Sequence, residues 1–488
     1  MQLSLPLPEI AQMALGPPGP DERVYSNRSV RMDHIDWVGF DMDYTLAVYR
    51  QSEMDRLSID ATIDKLVARG YPKHLRDMRY RTDFPIRGLL VDRKLGNILK
   101  MDRYKYVKRA YHGLKELSLE ERRIAYHTRR LRPASERYHW VDTLYGLSEV
   151  AVYAAAIECL EEEGAAVDYD ALFGDVRECI DQSHQDGTIL NHIMADHSRY
   201  VQRDPDLART LHHLRSSGKR LFVLTNSYPE YTERMMEFLL DGELHPYTSW
   251  RSYFDLVVTA SKKPVFFTEE RPFFEVQEDY EDWRETAKLE RGKLYAGGNQ
   301  AALMEALDTT PDRVLYVGDH IFGDVLRANK SSAWRTALVV QEMSAELDAH
   351  ADVVHSLERL DTLDEIRSQL TDDLRQHQGI VRTLQKKKDQ AGLTPAYEAE
   401  RVRHKRAADR LRTRLRATER EYEELDRGVS QRFHPFWGSL FKAGGEQSSF
   451  GHQAEHYAML YTSRVSNFLR YSPMHFFQSP RDRMPHEL

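Results

Sequence analysis

The chain has 488 residues and a mass of 57.0 kDa, room for two to four domains at about 150 residues each. Its 69 Lys and Arg residues against 77 Asp and Glu residues give a net charge of −8, which argues against a protein that coats nucleic acid. Two cysteines are too few for a disulfide framework, and no apolar run approaches the roughly 20 residues that span a bilayer. We therefore expect neither nucleic acid nor a membrane as a partner.

Residues 1–22 are predicted to form a flexible arm, because five prolines interrupt any regular structure in this stretch. The arm lacks the basic region followed by an apolar run that marks a secretory signal. A cytoplasmic protein is therefore expected.

Five short apolar runs, each ending at polar or turn residues, predict buried strands. They lie at residues 35–40, 221–224, 256–258, 314–317 and 337–340. Helical patterns at 207–217 and 300–307 alternate with them, which predicts an α/β fold with a parallel sheet covered by helices. We assign residues 23–49 and 206–360 to this catalytic core, whose ligands should bind at the carboxyl ends of the strands.

Residues 50–205 interrupt the core between its first and second strands and carry a helical pattern of their own at 141–163. The insertion is large enough to form a cap domain over the carboxyl edge of the sheet. An ordinary second domain without a covering role is the alternative.

Residues 361–432 are predicted to form an antiparallel helical hairpin, because two apolar stripes with 4-3-4-3 spacing flank a turn at 391–395. The stripes are Leu370, Leu374, His377, Val381 and Leu384, and Leu411, Leu415, Thr418, Tyr422 and Leu425. Acidic residues interleave with basic ones, which favours a structural or oligomer-forming arm over a nucleic-acid arm. The aromatic-rich segment 433–488 is predicted to pack on the core.

Asp41 and Asp43 directly follow the first predicted strand. Two carboxylates this close repel each other unless a proton or cation lies between them, and Mg²⁺ prefers such hard oxygen ligands. An Asp-x-Asp pair by itself is also common in turns and helix caps, so the interpretation depends on the other strand ends.

Three further strand ends carry polar groups suited to a phosphoryl group. Thr225 and Asn226 offer a hydroxyl and main-chain N–H groups, and Lys263 can neutralise developing negative charge. Asp319 and Asp324 add a second acidic pair, with Asp319 a natural metal ligand. Taken singly, each of these features is more often a turn residue, a surface lysine or a helix cap.

Together and in this order, the four motifs resemble those of the haloacid dehalogenase superfamily of phosphohydrolases. Longer runs resemble the cytosolic purine 5′-nucleotidases that prefer IMP and GMP, and the resemblance extends from about residue 23 to the end. These runs are 27–29, 40–49, Arg87-Gly88-Leu89, 96–97, 225–227, 263–264 with 266–267, 295–298, 316–326 and Met484-Pro485-His486-Glu487.

The resemblance implies a haloacid-dehalogenase-like core with an inserted cap, and it implies a role for each motif residue. Asp41 would be the nucleophile, Asp43 the general acid/base and Lys263 the charge neutraliser. Thr225 and Asn226 would bind the phosphate. Mg²⁺, the cofactor, would be held by Asp41, Asp319, Asp324 and Asp43, the last through its main-chain carbonyl.

For binding of the purine base of a nucleotide, the resemblance points to Arg177, Asp181 and His184. It implies Mg²⁺-dependent hydrolysis of purine nucleoside 5′-monophosphates through an aspartyl-phosphate, by a homo-oligomer, either a dimer or a tetramer. The alternatives are a phosphatase or phosphotransferase for another small phosphate, and a non-catalytic scaffold. The complete motif set argues against a scaffold.

Overall fold

The computed structural model describes residues 17–127, 131–326, 328, 333–392, 394–481, 484 and 487. The chain divides into two compact units, one of Met1–Ser344 with Leu440–Leu488 and one of Ala345–Ser439. Most of the predicted arm lies outside the described residues. Its last part is not loose, because Pro20–Glu22 forms a 3-10 turn in which the Asp21 carbonyl accepts hydrogen bonds from Ser463 and Asn467.

The first unit is built on a ten-stranded sheet, which confirms the predicted α/β class. In chain order its strands are β1 Tyr25–Ser26, β2 Trp37–Phe40, β3 Arg220–Leu224, β4 Leu256–Thr259, β5 Phe273–Val276, β6 Trp283–Thr286, β7 Leu294–Gly297, β8 Val314–Gly318, β9 Arg335–Val339 and β10 Leu460–Thr462. Their spatial order is β1-β10-β9-β8-β2-β3-β4-β7-β5-β6. The seven strands from β10 to β7 are parallel, and antiparallel strands form both edges.

The centre of the sheet is tightly packed around β2. All four β2 residues are buried, and a Cβ on Gly39 would lie 2.1 Å from the Phe222 ring on β3. Only glycine therefore leaves room for this ring. Large aromatic side chains, among them Trp37, Tyr316 and Trp334, fill the core around it.

The strand order reverses at β2, which lies between β8 on one side and β3 on the other. In open parallel sheets, such a reversal opens a crevice at the carboxyl ends of the strands. The residues that follow β2, β3, β4 and β8 are those in which the sequence predicts chemistry.

The insertion leaves and rejoins the core through two short strands, Val48–Tyr49 and Val201–Gln202, which pair with each other. It contains an antiparallel five-stranded sheet that the sequence analysis missed. The strands, in spatial order, are Lys115–Glu116, Val107–His112, Asn97–Met101, Leu89–Asp92 and Tyr138–Val141. Val141 was wrongly predicted to be helical. It pairs with Leu89, and the helix begins only at Leu147 after a turn.

The helices of the first unit cover the sheet and build the remainder of the insertion. They are α1 Gln51–Ala68, α2 Leu119–Arg122, α3 Leu147–Glu162, α4 Tyr169–Gln185, α5 Thr188–Ala195, α6 His197–Tyr200, α7 Leu207–Ser216, α8 Pro229–Leu240, α9 Gln300–Leu307 and, in the C-terminal segment, α12 Ser449–Tyr457. Helices α7 and α9 match two sequence patterns closely. None of the described helices is long and apolar enough to cross a membrane.

The second unit is a helical hairpin of α10, Met343–Ala391, and α11, Pro395–Phe433. The first helix begins 18 residues before the predicted boundary at 361, because Val353, Leu357 and Leu360 continue the apolar stripe upstream and pack with Val429. Further along the hairpin, His377 meets His404 of the opposite helix with 2.6 Å between their Nδ1 atoms.

Candidate active site

Lys263 is the charged centre of the site. Its buried Nζ lies 3.0 Å from Asp41 Oδ1 and 2.7 Å from Asp324 Oδ1, and it donates to the Tyr316 hydroxyl at 2.8 Å. Asp41 follows β2 directly, and its main-chain N–H donates to the Val317 carbonyl of β8. The loops after β2, β4 and β8 therefore meet at one ammonium group.

The electrostatics of the site follow from its burial. Burial raises the pKa of Asp41 to about 7 against the opposing effect of Lys263, and burial also raises the pKa of Asp319 well above its usual range. Burial alone would lower the pKa of Lys263, but Asp324 and Asp41 outweigh it and raise that pKa. One buried ammonium thus faces three carboxyl groups, more than it could neutralise if all three were ionised.

These residues fit a divalent cation. Carboxylate oxygens of Asp41, Asp319 and Asp324 lie within 4.8 Å of one another, and they are the hard ligands that Mg²⁺ takes. Asp43 was assigned to the metal through its main-chain carbonyl, and its side chain bonds Tyr49 and Ser227 instead of entering the cluster. Only its main-chain carbonyl would then be left to coordinate a metal.

Asp43 is held by two hydroxyl donors. Its Oδ1 accepts from the Tyr49 hydroxyl at 2.5 Å, and its Oδ2 accepts a short hydrogen bond from Ser227. The Tyr49 hydroxyl in turn lies 2.7 Å from that of Tyr231. Burial raises the pKa of Asp43, and the hydrogen bonds from Ser227 and Tyr49 oppose this effect.

Thr225 and Asn226, at the end of β3, differ in what their side chains do. Thr225 is fully buried, lines the cavity and accepts from the Ser227 N–H at 3.1 Å. The Asn226 side chain instead fixes the lysine loop. Its Nδ2 donates to the Lys263 carbonyl at 3.0 Å, and its Oδ1 accepts from the Lys263 N–H at 2.6 Å.

Above the strand ends lies a cavity of about 380 Å³ with walls from both the core and the insertion. Asp41, Asp43, Thr225, Asn226, Lys263, Asp319 and Asp324 all line it. The insertion supplies Tyr145 and His184, whose ring centroids are 4.5 Å apart. The insertion therefore contributes directly to the wall of this cavity.

The three residues assigned to the base are placed differently from one another. His184 faces the cavity, and its buried Nε2 has no hydrogen-bond partner among the described residues. Arg177 and Asp181 are exposed and are not among the residues that line the cavity. Arg177 Nε lies 3.5 Å from the buried carboxylate of Glu149.

Several site residues were missed by the sequence analysis: Tyr49, Tyr145, Ser227, Tyr231 and Tyr316. Three of them lie within the runs that carry the family resemblance, but their spacing does not indicate a partner. Tyr231 comes from α8, so its approach to the Asp43 network depends on how that helix packs.

A parallel sheet with a lysine-bridged carboxylate cluster at its carboxyl edge defines an enzyme of the α/β class. The chain belongs to the 5′ nucleotidase family, whose model matches residues 24–488. It is 27% identical over 472 residues to a 5′-nucleotidase domain-containing protein of Dictyostelium discoideum, covering 95% of this chain and 74% of that protein. The family supports nucleotide hydrolysis as the activity.

Solved structures similar to this chain share little sequence with it. A predicted phosphoglycolate phosphatase from Haemophilus somnus is 14% identical with a TM-score of 0.29, over 63% of this chain and 86% of the other. A HAD phosphatase from Thermococcus onnurineus is 16% identical with a TM-score of 0.24, over 63% and 87%.

Proposed function

We propose that the protein hydrolyses purine nucleoside 5′-monophosphates, with IMP and GMP favoured over AMP. In this proposal Mg²⁺ is the cofactor and the phosphoryl group passes through an aspartyl-phosphate, as in the haloacid dehalogenase superfamily. The observation that carries it is the contact of Lys263 with both Asp41 and Asp324 beneath a cavity large enough for a small ligand.

The first step is attack of an Asp41 carboxylate oxygen on phosphorus, which breaks the bond to the nucleoside 5′-oxygen. Asp43 gives a proton to the departing oxygen, and Ser227 and Tyr49 hold its carboxyl group in place. Water then attacks phosphorus and gives its proton to Asp43. The bond from Asp41 to phosphorus breaks, which releases phosphate.

The negative charge that builds on the phosphoryl oxygens is met by positive groups already in place. Lys263 supplies an ammonium that two carboxylates fix, and Thr225 supplies a hydroxyl. Mg²⁺, held by Asp41, Asp319, Asp324 and the Asp43 carbonyl, would add positive charge at the same oxygens.

Base selection is assigned to Arg177, Asp181 and His184. Arg177 carries only donors and suits the purine O6, while Asp181 accepts from the N1–H that inosine and guanine carry and adenine lacks. The His184 Nε2 is buried without a partner among the described residues, as expected of a group that binds a ligand. Because neither Arg177 nor Asp181 lines the cavity, both side chains must turn toward it when the base binds, and Arg177 must leave Glu149.

The experiment is a comparison of kcat/KM for IMP, GMP, AMP and UMP. We expect wild type to prefer IMP and GMP over AMP by about 10-fold or more, because AMP leaves charged groups mispaired. Arg177→Ala should remove this preference. Arg199→Ala, which removes another exposed insertion arginine paired with a glutamate, should keep it. Equal values for IMP and AMP in wild type would contradict the proposed specificity.

A further inference from the structure

The motif Arg87-Gly88-Leu89 has no role in the chemistry derived above. Arg87 is nevertheless among the largest fully buried side chains of the protein. Gly88 has φ +83°, and a Cβ there would lie 2.6 Å from the Phe450 Cβ. The glycine therefore lets the insertion pack closely against the C-terminal segment, with Arg87 enclosed beside it.

The Arg87 guanidinium makes three hydrogen bonds. Nη1 donates to the main-chain carbonyl of Asp319 at 2.9 Å, while Nε and Nη2 donate to the two oxygens of Glu342 at 2.7 and 2.6 Å. The guanidinium carbon also lies 5.0 Å from the centre of the Phe450 ring. A planar fork bound bidentately on one side has little freedom to move, so its third bond has a fixed direction.

Glu342 lies just beyond β9, a strand whose end carries none of the four motifs. The preceding residue, Gln341, donates from Nε2 to the Tyr44 carbonyl at 3.0 Å. Tyr44 belongs to the loop of Asp41 and Asp43, and Asp319 begins the loop after β8. The segment after β9 thus contacts both metal-site loops at main-chain carbonyls. Gln341 bonds the Tyr44 carbonyl directly, and Glu342 is linked to the Asp319 carbonyl through Arg87.

We propose that Arg87, fixed by Glu342, is a positioning residue that holds the Asp319 carboxylate in its metal-binding orientation. The inference rests on the proposed metal site. Anchoring the Asp319 carbonyl restricts the rotation of the residue that carries the ligand. Residues that orient metal ligands typically change metal affinity about 10- to 100-fold when they are replaced.

The contrasting possibility is an ion pair that only stabilises the fold, and the chain contains a matched example. Arg215 Nη1 donates to the Tyr253 carbonyl at 2.9 Å and to Asp255 at 2.7 Å. Asp255 precedes β4, so this pair lies at the amino edge of the sheet, away from the site.

The test is Mn²⁺ binding to the full chain without substrate, measured by calorimetry or by electron paramagnetic resonance of free Mn²⁺. Arg87→Lys keeps the charge beside Glu342 but loses the fork, so we expect Mn²⁺ affinity to fall about 10- to 100-fold. Glu342→Gln should weaken Mn²⁺ binding in the same direction. Arg215→Lys should lower the Tm and leave Mn²⁺ affinity unchanged.

A folded Arg87→Lys variant with Mn²⁺ affinity within about twofold of wild type, far from the expected 10-fold, would overturn the proposal. If that variant does not fold, an unchanged affinity in Glu342→Gln overturns it instead. Absence of Mn²⁺ binding in wild type would also count against it. Wild type that binds Mn²⁺ but hydrolyses no nucleotide would refute the proposed function alone, because the effect of Arg87 is read without turnover.

Discussion

At the scale of single residues, Lys263 is the cation that balances the buried carboxyl groups of the candidate site. Three carboxylates are buried within 4.8 Å of one another, and the lysine is in direct contact with two of them. A buried carboxylate without a counter-charge is costly, so the lysine stabilises the site as well as serving the proposed chemistry.

Replacing Lys263 with Met should therefore affect stability and metal dependence together. Losing one partner of a buried ion pair costs about 3–5 kcal/mol, so we expect a matching drop in the free energy of unfolding in EDTA. Added Mg²⁺ should recover part of it, because a ligand that binds the folded state stabilises that state. Denaturant titration with and without Mg²⁺ measures both.

Lys262→Met is the control for Lys263→Met, because Lys262 is the exposed neighbour in the same loop. It should leave the free energy of unfolding nearly unchanged in EDTA. Equal stability of the two variants would contradict the role given to Lys263.

At the scale of elements, five of the ten strands of the core sheet could be predicted, because each of these five is a short, buried run with a clear end. The sheet of the insertion could not be predicted, because charged residues interrupt the apolar runs of its strands. Val107–His112 includes a lysine, an arginine and a histidine, and its sequence is typical of an exposed segment. The hydroxyl network around Asp43 was missed for another reason. Ser227 reaches Asp43, and Tyr231 reaches the Tyr49 hydroxyl, only through the packing of β3 and α8.

Arg177 and Asp181 illustrate what a family resemblance leaves open. Their spacing on α4 places them on the same face of the helix, as expected for an i, i+4 pair. The structure pairs Arg177 with Glu149 of α3 instead, and sequence spacing gives no indication of such a partner from another helix.

Helix α1 carries a buried carboxylate that should make stability depend on pH. Burial raises the pKa of Asp55 to about 7, and its Oδ1 accepts a hydrogen bond from Gln51. Because the folded pKa lies above the unfolded one, Asp55 increasingly destabilises the fold as pH rises from about 4 to 7. A tenfold difference in proton affinity between the folded and unfolded states corresponds to about 1.4 kcal/mol.

Asp55→Asn should therefore gain stability relative to wild type as the pH is raised from 5 to 8. Denaturant titration at both pH values gives the two differences in unfolding free energy. Asp60→Asn, on the exposed face of the same helix, controls for loss of a surface carboxylate. A difference for Asp55→Asn that does not change with pH would contradict this account of its burial.

At the scale of the whole molecule, the helical hairpin offers an apolar surface for the predicted homo-oligomer. Only Ala408 and Val429 are buried in the 39 residues of α11, so stripe residues such as Leu411 and Leu415 remain half-exposed. A long apolar stripe that is only half covered favours association with a second copy. We expect light scattering to give a dimer or tetramer of the 57.0 kDa chain.

Replacing Leu411 and Leu415 with Glu should shift the scattering mass toward that of the monomer. The same replacement of exposed residues on the outer face, Arg412 and Arg416, is the control. A mass of 57.0 kDa for wild type across a wide concentration range would contradict the expected oligomer.

The central claim is that Asp41 is the nucleophile, and phosphate release from IMP by Asp41→Asn tests it most directly. The amide cannot form the acyl-phosphate and is a poorer metal ligand, so we expect no measurable turnover with the fold intact. Asp43→Asn, which loses only the proton transfer, should fall by about 10²- to 10⁴-fold. Turnover near the wild-type rate in purified Asp41→Asn would contradict the account.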